Sequence, residues 1–122
     1  MTTIKSYTDL EQSRKLAEIL PLESADMRIG NYVGKSGEVD GTNVHYYFKG
    51  EIFGAPEIIY AWSLAALFNV LPEIQGGKPI IALDDNYITY PHTNDLYAKA
   101  DSLVDACYEM IIKLYGLKML LL

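Results

Sequence analysis

The chain has one cysteine, Cys107, and two histidines, His45 and His92, among its 122 residues. A lone thiol excludes an internal disulfide framework and a cysteine-built zinc site. The histidines show neither His-x-His nor His-x-x-x-His spacing, so the sequence offers no paired-imidazole metal motif. Positive charge is thin as well: ten Lys or Arg stand against sixteen Asp or Glu, the net charge is −6, and no basic run exceeds Arg14 and Lys15. Phosphate backbones bind to concentrated cationic surfaces, so nucleic acid is not expected as a partner. The most apolar stretch, 58–71, falls short of the roughly 20 residues that cross a bilayer. The amino terminus, MTTIKSY, lacks the apolar core of a signal peptide. These absences together predict a cytoplasmic protein with no membrane partner.

Half of the residues are hydrophobic and 21% are charged, a balance that supports a packed core. A chain of this length buries enough surface to fold without disulfide or metal. The expectation is a single domain over residues 1–122.

Hydrophobic periodicity predicts a first helix over about 8–20, with Leu10, Leu16, Ala17, Ile19 and Leu20 on one side and Glu11, Gln12, Arg14, Lys15 and Glu18 on the other. Thr8 or Asp9 can cap it, Thr8 with Glu11 three residues later fits a capping box, and Pro21 ends the helix. Residues 28–54 hold six glycines and no leucine, alanine or methionine, a composition adverse to helix. Strands are predicted over 29–33 and 44–49, joined by a long polar hairpin loop over 34–43. Glu57 is the only charged residue of 57–71, and Pro56 precedes it as a first helical residue would, so this segment reads as a central helix covered on most sides. Gly76 and Gly77 interrupt the chain before a second hairpin, 79–83 with 87–90, whose Asp84-Asp85-Asn86 turn tolerates positive φ. A last helix is predicted from about Asp101 to Tyr115, stopped at Gly116, with Glu109 and Lys113 spaced for an ion pair. The apolar tail, 117–122, should dock on the domain or across a subunit boundary. The predicted architecture is α+β: an antiparallel sheet of about four strands with three helices, in the order α-β-β-α-β-β-α.

Chemistry is sparse in this pattern. Gly34-Lys35-Ser36 resembles the end of a P-loop but lacks the earlier glycine and a following helix, and reads as a solvated loop. Asp84, Asp85 and His92, with Asp101 and Asp105 at the start of the last helix, form the alternative site for a small ligand or acid–base chemistry. Against it, Asp101, Asp105 and Glu109 also make an ordinary solvated helix face. Cys107 lies in an apolar helical stripe and reads as a small buried hydrophobe. No catalytic residue, metal ligand or cofactor is assigned. Ten tyrosines are the distinctive excess, and Tyr32, Tyr46, Tyr47, Tyr87, Tyr90 and Tyr97 fall in the predicted sheet or its margins. Tyrosine offers a large contact area with few rotors, so Tyr46, Tyr47, Tyr87 and Tyr90, with Trp62 on the apolar helix, are the candidate partner-binding residues.

Three segments, 7–27 (YTDLEQSRKLAEILPLESADM), 62–74 (WSLAALFNVLPEI) and 104–114 (VDACYEMIIKL), resemble a family of small uncharacterised proteins encoded by prophages and other mobile elements of gut bacteria. That resemblance implies a phage-related setting and no catalytic residue. The expected function is a small non-catalytic protein-interaction module whose partner is another protein or a second copy in a homodimer. The alternative is a ligand binder or enzyme using the Asp84, Asp85 and His92 region.

Overall fold

Backbone hydrogen bonding in the first helix begins at a side-chain cap. In this computed structural model, which describes residues 5–33, 39–48, 58–91, 93 and 96–120, Asp9 accepts the Gln12 N–H at 2.8 Å while the Gln12 side chain accepts the Asp9 N–H at 3.1 Å. The capping box therefore uses Asp9 and Gln12 instead of Thr8 and Glu11. Thr8 is buried, where its hydroxyl accepts the Trp62 N–H at 3.1 Å. Helix α1 runs Leu10–Ile19, with Ala17 exposed instead of on the apolar side, and Pro21 follows its end, leading into a short 3₁₀ turn, Leu22–Ser24.

Three antiparallel strands follow. They are β1 (Met27–Val33), β2 (Val39–Phe48) and β3 (Ile58–Ala61), arranged in the order β2-β1-β3. β2 starts earlier than the sequence predicts, so 39–43 are strand and not loop. The segment predicted as one helix over 57–71 divides: 58–61 is strand and only α2, Leu64–Val70, is helical. Ile58, Ile59 and Tyr60 suit an extended backbone, and β3 finds its partner in β1, with Ile59 opposite Ile29 and Ala61 opposite Met27. Ser63 starts the helix by accepting the Ala66 N–H. Pro56 and Glu57 lie outside the described residues.

A two-residue turn carries the chain to the second sheet. Ile74 and Gly77 exchange two backbone hydrogen bonds of 3.0 Å, and Gln75 and Gly76 both take positive φ, 52° and 77°. Strands β4 (Ile80–Ala82), β5 (Tyr87–Thr89) and β6 (Tyr97–Lys99) then form an antiparallel meander in the order β4-β5-β6. Asn86 supplies the left-handed residue of the β4–β5 turn, with φ 49°. The third strand here, β6, is an addition to the predicted set.

Helix α3 spans Leu103–Gly116 with Ser102 as its cap, accepting the Asp105 N–H at 3.0 Å. Its left-handed terminator is Lys118 (φ 59°), not Gly116. The Lys118 N–H bonds the Tyr115 carbonyl and the Met119 N–H bonds the Leu114 carbonyl, the paired bonds of a Schellman motif. Met119 and Leu120 pack against the core, so this part of the tail docks, while Leu117 is exposed.

The fold is α+β, three helices with antiparallel strands held in two sheets. The main core joins Leu16 and Ile19 of α1, Leu67 of α2, Ile88 and Ala98 of the second sheet, and Val104, Cys107, Met110, Ile111 and Leu114 of α3. A smaller cluster of Ile59, Ala61, Leu10 and Met27 seats α1 on the first sheet.

Candidate interaction surface

Alternation along the second sheet separates a covered face from an open one. Ile81, Ile88 and Ala98 lie side by side across the three strands; Ile88 and Ala98 are buried and Ile81 packs on the core. Their neighbours therefore point the other way: Ile80, Thr89 and Tyr97 in one row, and Ala82, Tyr87 and Lys99 in the next. Ile80 is 54% exposed and Tyr97 49%.

Bonds from the Tyr90 N–H to the Leu96 carbonyl and from the Ala100 N–H to the Asn86 carbonyl fix the β5–β6 ladder. They make Tyr87 with Lys99, and Thr89 with Tyr97, the non-hydrogen-bonded pairs, whose side chains stand closest. Tyr87 and Tyr97 are diagonal neighbours across these two pairs, and their rings lie 6.0 Å apart between centroids, tilted by 33°. The same alternation aims the Tyr97 carbonyl off the free edge of β6. Lys113 of α3 donates to that carbonyl at 2.9 Å, and its ammonium sits 5.1 Å from the Tyr97 ring centroid. Lys113 thus turns to β6 rather than to Glu109, and a lysine on a sheet edge blocks strand addition there.

Of the candidate contact residues, Tyr87 belongs to this open face. Trp62 and Tyr90 do not, and both are corrected to core residues. Trp62 is fully buried with its indole N–H donating to Ser24 Oγ at 2.9 Å, and Tyr90 is 1% exposed with its hydroxyl donating to the Pro72 carbonyl at 2.8 Å. Burial raises the Tyr90 phenol to about 12. Tyr46 and Tyr47 sit in β2 opposite Ile29 and Arg28. The face also includes Ile80 and Lys113, which sequence reasoning passes over, and Tyr97, which it leaves at the margin of the sheet. A period-two reading of Tyr97-Ala98-Lys99 is the signal that would have found it.

The described members of the alternative ligand site, Asp84, Asp85, Asp101 and Asp105, form no group that could hold a metal ion. Asp84, Asp85 and Asp101 are exposed, although Asn86 Nδ2 donates to the Asp101 carbonyl and ties the turn to the start of α3. His92 and the Gly34-Lys35-Ser36 loop lie outside the described residues. Asp105 is committed elsewhere, accepting from Lys5 Nζ at 2.6 Å and from Gln12 Nε2 at 2.7 Å. Burial by itself would push the Asp105 carboxyl up, but hydrogen bonds from Lys5, Gln12 and Ser102 outweigh it and hold it below the usual range. Burial likewise opposes the Lys5 ammonium, and Asp105 and Asp9 overcome it to raise Lys5.

A shallow depression of about 530 Å³ lies between the 3₁₀ turn and α2, lined by Glu23, Ser24, Asp26, Ala66 and Asn69 among others. Its hydroxyls and carboxylate hold backbone in place. Asp26 accepts both the N–H and the hydroxyl of Ser63, whose oxygen in turn caps α2, and Ser24 Oγ donates to the Pro21 carbonyl at 2.6 Å. Serines whose hydroxyls already donate to a carbonyl or a carboxylate are not activated nucleophiles. No group of three His, Cys, Asp or Glu side chains among the described residues could hold a metal ion. Cys107 is fully buried, and burial pushes its thiol up to about 12. No described helix is long and apolar enough to cross a membrane. No protein-family model matches the chain, and no curated protein or solved structure gives a significant match.

Proposed function

We propose that this chain is a small non-catalytic interaction module that binds protein through the outer face of its second sheet. The observation that carries this reading is one strand row: Ile80 and Tyr97 are about half exposed while the adjacent row, Ile81, Ile88 and Ala98, is covered by core. An aromatic and aliphatic face with lysine at its border has the composition of an interface core and rim. The likeness of the three segments to phage and mobile-element proteins supports a phage-related role in the cytoplasm. The alternative, a ligand or catalytic site around Asp84, Asp85 and His92, draws no support from the exposed Asp84 and Asp85 or from Asp105, which is already paired.

Site-specific photocrosslinking tests the reading. A benzophenone side chain in place of Tyr97 should yield protein adducts in the cells that carry the chain, while the same probe at Ala17, on the exposed side of α1, should not. Equal labelling from both positions, or none from either, would refute it.

A further inference from the structure

We draw no further inference here: the strongest candidate, the exposed row of Ile80 and Tyr97 on the outer face of the second sheet, belongs to the surface already described, and nothing in the structure shows what covers it.

Discussion

Thr8 and Ser13 are the buried polar side chains of the described core, and their oxygens lie 2.7 Å apart. Thr8 also bridges to Trp62 through two bonds, its own N–H to the Trp62 carbonyl at 2.9 Å and the Trp62 N–H to its hydroxyl at 3.1 Å. Valine at position 8 fills the same volume but leaves the Trp62 N–H and the Ser13 hydroxyl without that oxygen. Thr8→Val should therefore cost about 1–3 kcal/mol, read as a lower urea midpoint at unchanged slope. Asp105 gives the pH counterpart. Its folded carboxyl titrates below its unfolded value, so its contribution is present above the unfolded pKa of about 3.9 and disappears as pH falls through the folded value. Asp105→Asn should lower stability at pH 7 and flatten the acid limb of the stability profile below about pH 4. Lys5 acts at the other extreme: its raised pKa places its contribution below about 10.5, and the contribution fades as pH climbs past the folded value. Cys107 should be silent toward a thiol reagent in the native protein and react on unfolding, since it is buried and its thiol is pushed up to about 12.

Element ends carry most of the local information in this chain. Asp9, Ser63 and Ser102 each accept a backbone N–H from the first turn of the helix that follows, and all three are residue types that favour this position. Ser63→Ala should destabilise by about 1 kcal/mol through loss of the α2 cap, and by somewhat more because Asp26 loses its hydroxyl partner. Two turns, by contrast, use residues poorly suited to their backbone. Lys118 and Gln75 both take positive φ where glycine or asparagine is preferred. Lys118→Gly and Gln75→Asn should each stabilise by about 0.5–1 kcal/mol, seen as a rise of a few degrees in melting temperature. The undivided apolar run over 57–71 shows the limit of element-level reading. Periodicity does not separate a buried strand from a buried helix, and the β-branched pair Ile58 and Ile59 runs without an intervening charge into the leucines and alanines after Ser63.

At the scale of the molecule, each half runs three strands into a helix, but the strand orders differ. β1 is central in the first sheet and β5 in the second, so the repeated rhythm is not a repeated topology. The segment before α1 fastens the parts together: the Leu64 N–H bonds the Ser6 carbonyl, Tyr7 bridges Ser63, and Lys5 reaches Asp105 on α3. The open face of the second sheet is what this packing leaves over once α3 has covered the other side. What the sequence determined by itself was local: the α+β class, the three helices, the strand pairing signals of the hairpins and the burial of Cys107, because caps, turns and periodicity act within a few residues. Tertiary structure decided the rest. Pairing with β1 made residues 58–61 a strand, closure of the core buried Trp62 and Tyr90, and the β5–β6 register brought Tyr87 and Tyr97 together on the exposed side. A tyrosine is equally at home in a core or at an interface, and which one it occupies depends on residues far along the chain that no short window contains.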